Sequence, residues 1–377
     1  MSDRIAEDME ALGALGPRFA GTDGERAALD AVTARLPQPE LARVEGFAGH
    51  TLPWLVLGMH GVCAFAAGLV GLWWPLWGAL GCLGTAASLA GEGTGTVGLL
   101  RLWLPRQSSY NLVVPHPRPG ALGSVVVCTP LDAPRTHVRR PAWVRRPLLF
   151  VFASTVVLGV VLALRWLSEP WGTPLLSLYV LSLVVTGVAS VVVIATLRKA
   201  SAEPADPGGM ATLLALERHW TEEPLGGLEV WTVFTGCGRA HQDGIRTFLH
   251  LRARRLPAPV LLVSLTDVGR APLQAARTEG PLFRQHHLAT GAALVERLQW
   301  AGVRIPAVDR PEASDARAAG TMGIRALSLV GGKGPPDPDA VRRAAALTDT
   351  LLRWYAEDLA RVGASGVVGD EVAPPAR

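Results

Sequence analysis

The segment LEVWTVFTGCGRAHQDGIRTFLHLR, residues 228–252, predicts a β-strand followed by an α-helix. Residues 228–234 are mostly apolar, β-branched or aromatic, which favours a strand. Residues 243–252 place apolar side chains at helical spacing, and glycines occupy part of the turn between the two elements. A strand that leads through a short turn into a helix is the repeating unit of α/β folds.

The same alternation continues on both sides of this segment. Further strands are predicted at 111–114, 124–128, 260–265 and 324–330, and further helices at 5–15, 24–36, 210–220, 291–301 and 338–362. Strands rich in Val and Leu are typical of a sheet that is covered on both faces. The sequence therefore predicts an α/β fold with a mostly parallel central sheet flanked by helices.

The composition is that of a globular protein enriched in apolar residues. Of 377 residues, 49% are hydrophobic and 18% are charged, against about 25% charged in a typical soluble domain. This excludes a disordered chain, a coiled coil and a small disulfide scaffold, and the four cysteines form no CxxC pair. The basic residues behind the net charge of +4 cluster beside apolar stretches, so we expect no nucleic-acid partner.

Four apolar stretches have the length of membrane spans: residues 54–74, 75–91, 148–164 and 173–197. A bilayer core is crossed by about 20 apolar residues, with a range of about 17 to 25. Tryptophans lie near the ends of the stretches, as at Trp73, Trp74 and Trp77, where amphipathic rings favour the membrane interface. The sequence predicts two transmembrane hairpins, at 51–99 and 148–197. Buried core helices of a large soluble domain are the alternative.

Basic residues predict the orientation of these hairpins. Nine of them flank the apolar stretches on one side: Arg101, Arg106, Arg135, Arg139, Arg140, Arg145, Arg146, Arg198 and Lys199. The two turns on the other side contain only Arg165 and Glu169. Because Lys and Arg are enriched in cytoplasmic loops, we expect a multi-pass protein of the inner (plasma) membrane. Its partner is the lipid bilayer, and its soluble part lies in the cytoplasm.

The soluble part is predicted to be one discontinuous domain. It comprises residues 1–50, 100–147 and 198–366, and residues 367–377 form a loose tail. The hairpins interrupt this domain rather than precede it, and insertions are tolerated where both ends lie close together at the surface. We therefore expect the domain to lie directly against the membrane.

Six strings of the soluble part, taken in order, resemble the zinc-dependent aminopeptidase superfamily, which also contains glutamate carboxypeptidase and transferrin-receptor-like domains. The strings are LGPRFAGTDGERAALDAVTARL (15–36), SSYNLVVPHPRPGALGSVVVCTPLDAP (108–134), GGMATLLALER (208–218), VWTVFTGCGRAHQDGIRTFL (230–249), LLVSLTDVG (261–269) and SDARAAGTMGIRALSLVGG (314–332). The second resembles the family's first hairpin, with Asn111 in the expected place. The resemblance implies an aminopeptidase-like fold, two zinc ions held by imidazoles and carboxylates, and a glutamate general base.

The positions that the resemblance implies for zinc ligands and for the paired glutamates, one of them the general base, are occupied here by residues that are unsuited to metal binding, namely Pro130, Ala205, Gly238, Arg239 and Thr266. Asp132 remains from the first ligand segment, and Asp206 and Asp267 each lie one place from an implied ligand. The implied final histidine would follow Gly331, and the chain has no histidine beyond His287. The resemblance therefore implies a degenerate member of the superfamily, with no bound zinc or other cofactor and no catalytic residue.

A degenerate pocket is predicted around one cation, with these members: Asp132, Asp206, Arg239, Asp267 and Asp315. Arg239 replaces an implied metal-binding glutamate, and a guanidinium repels a nearby dication. Our hypothesis is that Arg239 pairs with Asp132, Asp206 or Asp267 and substitutes for the missing metal ion. Two alternatives remain. In one, the aspartates and His241 bind a hard ion such as Mg²⁺; in the other, the aspartates are loop caps and turn residues.

Two functions from different classes fit these observations. The first is an integral membrane protein whose catalytically degenerate domain is a peptide- or protein-interaction or scaffold module, with a peptide-sized cleft at the carboxyl edge of the sheet. The second is a metal-dependent, membrane-bound aminopeptidase or related hydrolase with a rearranged site. A transporter-like or channel-like protein is a third alternative, although the apolar stretches contain few polar groups beyond His60, Glu92 and hydroxyls.

Overall fold

The computed structural model describes residues 2–96, 98–133, 141–167, 173–198, 206–280, 282–286, 289–300, 303, 305–310 and 312–365. The loose tail predicted at 367–377 lies outside these residues, as does Ala205.

Within these residues the central sheet has nine strands: β1 (Arg43–Gly49), β2 (Gln107–His116), β3 (Gly123–Pro130), β4 (Leu228–Thr235), β5 (Val260–Thr266), β6 (Gln274–Glu279), β7 (Gln285–His286), β8 (Ala307–Arg310) and β9 (Arg325–Val330). The order across the sheet is β1-β2-β4-β3-β5-β9-β6-β7, and β8 pairs with β6.

The sheet is mixed, so the prediction of a mostly parallel sheet is wrong. β4, β3, β5 and β9 form a parallel centre, whereas β2 pairs antiparallel with β1 and β4. β6 pairs antiparallel with β9 and β7. The predicted hairpin of β2 and β3 is also wrong, because β4 lies between them. Sequence analysis missed β1, β6, β7 and β8 because they are short or polar, without the Val- and Leu-rich runs of the centre.

Eleven helices are described: α1 (Ser2–Gly13), α2 (Asp23–Thr33), α3 (Pro53–Val70), α4 (Pro75–Thr94), α5 (Pro141–Leu167), α6 (Thr173–Arg198), α7 (Gly208–Glu222), α8 (Asp243–Arg252), α9 (Ala289–Trp300), α10 (Asp315–Thr321) and α11 (Pro338–Ser365). α10 is a helix that sequence analysis did not predict, whereas α8 has the predicted bounds.

The two faces of the sheet have separate hydrophobic cores. Along β3, Val125 and Val127 belong to the core shared with α1, α7 and α11, whereas Val126 and Cys128 belong to the core shared with α8 and α10. Successive side chains of a strand point to opposite faces, so one strand contributes to both cores. The prediction of an α/β fold with helices on both faces of the sheet is confirmed.

Helices α3 to α6 form two hairpins that pack together as a four-helix unit. Across it, the Tyr179 hydroxyl donates a hydrogen bond to the Gly68 carbonyl at 2.8 Å. At the end nearest the sheet, Phe152 of α5 packs edge-on against Phe283 of the loop after β6, with ring centroids 5.4 Å apart. The four-helix unit is therefore joined to the domain by packed side chains as well as by the chain itself.

Two described helical segments, not the predicted four, are long and apolar enough to cross a membrane: Arg146–Leu167 and Pro174–Ala195. Each has 22 residues and a mean hydropathy of 2.5. In the first hairpin, the apolar segment of α3, Leu55–Val70, is too short to count as a candidate span. In α4, the other helix of that hairpin, the apolar sequence is interrupted by several glycines and by Thr85, Ser88 and Glu92.

Candidate functional site

Loops at the carboxyl edge of the parallel strands carry most of the predicted pocket residues. Asp132 follows β3, Arg239 follows β4 and Asp267 follows β5. Because parallel strands end at the same edge, their loops meet there. In the described chain, the non-glycine residues with positive φ are Cys237 (49°), Gln242 (55°) and Asp267 (54°), and all three lie in these loops. Such backbone is uncommon outside glycine and concentrates at functional sites.

Arg239 is buried at the centre of this pocket. Its guanidinium forms an ion pair through Nη2 with Asp267 Oδ1, and its side chain is 8% exposed. Its backbone N–H donates to both carboxylate oxygens of Asp132, at 3.0 and 3.1 Å. Asp267 Oδ2 also lies 3.9 Å from Arg310 Nη2. The structure thus brings Asp132, Arg239 and Asp267 together, with Asp267 as the ion-pair partner among the three that the hypothesis considered.

The ion pair keeps both of its members charged. Burial disfavours the charged form of Arg239, but the Asp267 carboxylate outweighs this and raises the pKa of Arg239 above its usual value. Burial likewise opposes the ionisation of Asp267, but Arg239 outweighs it and holds the pKa of Asp267 below its usual value. An opposite charge in contact favours the ionised form of each group.

Asp132 lies beside a second buried acid, Glu25. Burial, followed by repulsion from Glu25, raises the pKa of Asp132 to about 8. Burial also raises the pKa of Glu25, whose carboxylate accepts hydrogen bonds at 2.9 Å from the Gly21 and Cys237 N–H groups and from the Ser109 hydroxyl. This pair of carboxyl groups can therefore hold a proton near neutral pH.

Asp206 lies at the margin of the pocket and is held by a different arginine. Its Oδ1 accepts a hydrogen bond from the Gly208 N–H at 3.0 Å, and its Oδ2 lies 3.9 Å from Arg270 Nε. Burial, together with repulsion from Asp267, raises the pKa of Asp206. Among the described residues, Asp206 Oδ2 has no hydrogen-bond partner. Asp206 thus faces the cluster without pairing with Arg239.

The side chains of Asp315 and His241 contact groups other than Arg239. Asp315 Oδ2 accepts a hydrogen bond from the Thr235 hydroxyl at 2.7 Å, and burial raises its pKa to about 6. His241 packs edge-on with His50, with ring centroids 6.3 Å apart, and burial lowers the pKa of His241 to about 3. Asp315 therefore ties α10 to the end of β4 and does not act as a partner of Arg239.

Sequence analysis missed two buried members of the site, Arg18 and Glu25. Arg18 donates from Nη1 to the Leu12 carbonyl at 2.8 Å and from Nε to the Leu131 carbonyl at 3.2 Å, which joins α1 to the loop carrying Asp132. Glu25 follows Thr22 at the spacing of a capping box, and that signal was available in the sequence. The bond from Glu25 to the N–H of Cys237, far along the chain, was not.

The donor set does not fit the pair of zinc ions that the resemblance implies. Across the described ranges, no group of three His, Cys, Asp or Glu side chains is placed to hold a metal ion. The oxygens of Asp132 and Asp267 are taken by the backbone N–H and the guanidinium of Arg239. Pro130, at an implied ligand position, and Gly238, at one of the implied paired glutamates, lie against each other: a Cβ on Gly238 would be 2.8 Å from Pro130 Cβ.

The structure is similar to solved structures of zinc aminopeptidases and glutaminyl cyclases. A zinc aminopeptidase from Bacillus subtilis matches with a TM-score of 0.50 and 11% sequence identity, over 94% of this chain and 95% of that one. A glutaminyl cyclase from an Acidobacteriales bacterium matches with a TM-score of 0.51 and 10% identity, over 95% and 94%. A Zn-dependent exopeptidase from Parabacteroides distasonis matches with a TM-score of 0.50 and 10% sequence identity, over 94% of this chain and 98% of that one.

No protein-family model matches the sequence, and no curated protein is similar to it in sequence. At sequence identities of 10 to 11%, the structural similarity establishes the fold and does not establish the activity. The chain therefore has the fold that zinc aminopeptidases and glutaminyl cyclases share.

Proposed function

We propose that this protein is a membrane-embedded, non-catalytic member of the aminopeptidase fold, whose domain serves as a peptide- or protein-interaction or scaffold module. The observation that carries the proposal is the buried ion pair of Arg239 and Asp267. By the resemblance, Arg239 occupies the place of a metal-binding glutamate, and Asp267 lies next to a second implied ligand, Thr266.

A fixed guanidinium and a bound dication are poorly compatible in such a pocket. Two like unit charges 4 Å apart repel by about 4 kcal/mol at an effective dielectric constant of about 20, and a dication doubles this. Arg239 keeps its charge because Asp267 raises its pKa. A zinc ion would therefore have to displace Arg239 from its carboxylate and also leave the guanidinium buried without a partner.

Three features of the four-helix unit support a membrane location. Less than half of each candidate span is buried by other parts of the chain, 44% in α5 and 33% in α6. Large apolar side chains on α6 face outward, with Leu181 and Val188 60% exposed and Val191 67% exposed. α3 and α4 pack along these helices, so we place both hairpins, 51–99 and 148–197, in the bilayer. The basic flanks favour a cytoplasmic domain in the inner membrane.

A metal-dependent hydrolase with a rearranged site is the second candidate. Two buried carboxylate oxygens favour it, Asp206 Oδ2 and Asp315 Oδ1, because neither has a hydrogen-bond partner within the described part of the chain. Unsatisfied buried oxygens of this kind are suitable ligands for a hard cation.

An activity assay separates the two candidates. The full-length protein, purified in lipid nanodiscs, is incubated with aminoacyl anilides and with amino-terminal glutaminyl peptides, with added Zn²⁺ or Mg²⁺. We expect no release of product above empty nanodiscs, because the pocket holds a guanidinium in place of a metal ion. Metal-dependent turnover that Asp206→Ala abolishes, and that the exposed control Arg277→Ala retains, would establish the hydrolase instead.

A further inference from the structure

A cavity of about 100 Å³ lies where the four-helix unit meets the domain, apart from the Arg239 ion pair. Its apolar wall includes Leu89 of α4 and Leu148 of α5, close to the start of the span that begins at Arg146. Its polar wall includes Arg246 of α8 and Arg317 of α10. The cavity is therefore apolar towards the proposed bilayer and cationic towards the domain.

Both arginines have donor groups with no acceptor. Arg317 is 3% exposed and donates from Nη2 to the Gly93 carbonyl, yet its Nε is buried and unpartnered among the described residues. The Nε of Arg246 is also buried and has no partner among the described residues. Its Nη1 donates a long hydrogen bond, 3.4 Å, to the Thr321 hydroxyl. Neither arginine has a carboxylate within ion-pair distance in the described ranges.

One acid, Glu92, lines the cavity, and this acid and the two nearby ones are bound by other groups. Glu92 and Asp243 each lie 3.4 Å from the guanidinium of Arg101. Asp243 also accepts hydrogen bonds from the backbone N–H and the ring of His50, at 2.8 and 3.1 Å. On the other side, Glu279 accepts hydrogen bonds from the N–H and hydroxyl of Ser314. The cavity lining therefore contains three arginines and one acid, and the guanidiniums of Arg246 and Arg317 have no carboxylate partner in the described ranges.

A ring nitrogen of His241 is a third unpartnered polar group on the polar wall of the cavity. His241 lines the cavity, and its Nε2 is buried without a hydrogen-bond partner in the part of the chain that the structure describes. Each buried polar group left unsatisfied destabilises the folded protein, and a charged group does so more. Buried polar groups in native proteins are almost always paired, so three unpaired atoms on side chains that line one cavity point to a ligand there.

We propose that this cavity is a binding site for a phosphate group, held by the guanidiniums of Arg246 and Arg317 with His241 as a third contact. A tetrahedral phosphate offers acceptor oxygens in several directions, which suits donors that converge from α8, α10 and the loop after β4. One water molecule needs about 10–15 Å³ of such a cavity, so about 100 Å³ leaves room for a single phosphate group.

The apolar wall extends this inference to the source of the phosphate. This step rests on the proposed membrane location: in that arrangement, Leu89 of α4 and Leu148 of α5 lie towards the helix ends that meet the domain, where lipid headgroups border acyl chains. A phospholipid headgroup and free inorganic phosphate share the recognised chemistry, and an experiment can separate them. The site does not depend on Arg239, so it stands whether or not the domain is catalytic.

Two measurements on the full-length protein test the proposal. Delipidated protein in detergent is titrated with radiolabelled inorganic phosphate by equilibrium dialysis. Protein purified from membranes and from phosphatidylglycerol–phosphatidylcholine nanodiscs is examined by native mass spectrometry for retained phospholipid. The variants are Arg246→Gln and Arg317→Gln, with Arg277→Gln as the matched control, because Arg277 is exposed and pairs with Asp309 on the surface.

Saturable binding of one phosphate by the wild type, weakened roughly tenfold or more in Arg246→Gln, supports a site for free phosphate. One phospholipid retained by the wild type and by Arg277→Gln, but lost from Arg246→Gln, supports a headgroup site. If Arg317→Gln fails to fold, the partly exposed Arg246 still provides the comparison. The proposal is overturned if the wild type neither binds phosphate nor retains a lipid, or if both variants bind as the wild type does.

Discussion

At the scale of single residues, the site is defined by a substitution of charge. Arg239 places a guanidinium among carboxylates, where the resemblance implies a glutamate and a metal ion. Asp267 forms an ion pair with this guanidinium. The backbone of Asp267 has a φ of 54°, which non-glycine residues seldom adopt. Asp132 binds the backbone N–H of the same arginine. One residue therefore organises two of the three loops at this edge.

Replacing Arg239 with alanine should destabilise the protein by about 2–4 kcal/mol, because the partly exposed Asp267 carboxylate loses its main partner. The double variant with Asp267→Ala should lose less than the sum of the two single changes. Chemical unfolding of the full chain in detergent measures each value. Additive effects of the two substitutions on the free energy of unfolding would show that the pair is not a structural unit. So would a destabilisation by Arg239→Ala that is no larger than that by Arg277→Ala at the surface.

The raised pKa of Asp132 predicts a pH dependence of stability. Because the folded-state pKa is about 8 and the ordinary value 3.8, the folded protein holds a proton that the unfolded chain releases. The stability that this bound proton contributes is fully present below about pH 4. It is lost as the pH rises to about 8, by at most about 1.4 kcal/mol per pH unit. The stability of the wild type relative to Asp132→Asn should fall across this range. A constant or rising difference would contradict the protonated form.

At the scale of elements, the loops at the strand ends are held by side chains from neighbouring strands. The fully buried Asn111 of β2 accepts a hydrogen bond from the Gly236 N–H at 3.0 Å and donates to the Gly244 carbonyl at 2.9 Å. These two bonds span the turn between β4 and α8. Asn111 thus fixes the start and end of the loop that carries Arg239.

Asn111→Ala should destabilise the protein by about 2–3 kcal/mol, because it leaves a buried N–H and a buried carbonyl without partners. Ser108→Ala, at an exposed position of the same strand, is the control and should have little effect. Chemical unfolding and hydrogen exchange of the Gly236 amide provide the readouts. Unchanged protection of Gly236 in Asn111→Ala would show that the loop is held by other contacts.

Sequence patterns predicted the elements whose local signals agree with their environment. The helix at 243–252 and the Val-rich strand at 124–128 are examples, since periodicity and burial point the same way. Strands such as β6, with the sequence QAARTE, carry no such signal and depend on pairing with β7, β8 and β9. In the site, the family resemblance led to Asp132, Arg239 and Asp267. The contact of Glu25 with Cys237 arises from tertiary packing and has no local pattern.

At the scale of the whole molecule, the four-helix unit and the domain share one boundary. Arg317 of α10 binds the Gly93 carbonyl near the end of α4, and Arg101 connects Glu92 of α4 with Asp243 of α8. These contacts lie on the side of the sheet where the parallel strands end. The proposed bilayer therefore borders the edge at which open α/β sheets place their ligands.

The proposed topology places the turn between α3 and α4 on the opposite side of the membrane from the domain. Trp74→Cys in that turn and Leu251→Cys in the domain are both at exposed positions, 61% and 60%. In sealed right-side-out vesicles, an impermeant maleimide should label Trp74→Cys directly and Leu251→Cys only after lysis. The unmodified chain is the control for its four native cysteines. Labelling of both positions from one side would contradict the two-hairpin arrangement.

The zinc content of the purified full-length protein, measured by elemental analysis after equilibration with zinc and removal of free ions, tests the replacement of a metal centre by Arg239 most directly. With the guanidinium paired to Asp267 and the oxygens of Asp132 bound to a backbone N–H, we expect no stoichiometric zinc. Two zinc ions retained per chain, and lost on substitution of Asp132 or Asp267, would show that these carboxylates still hold a metal centre.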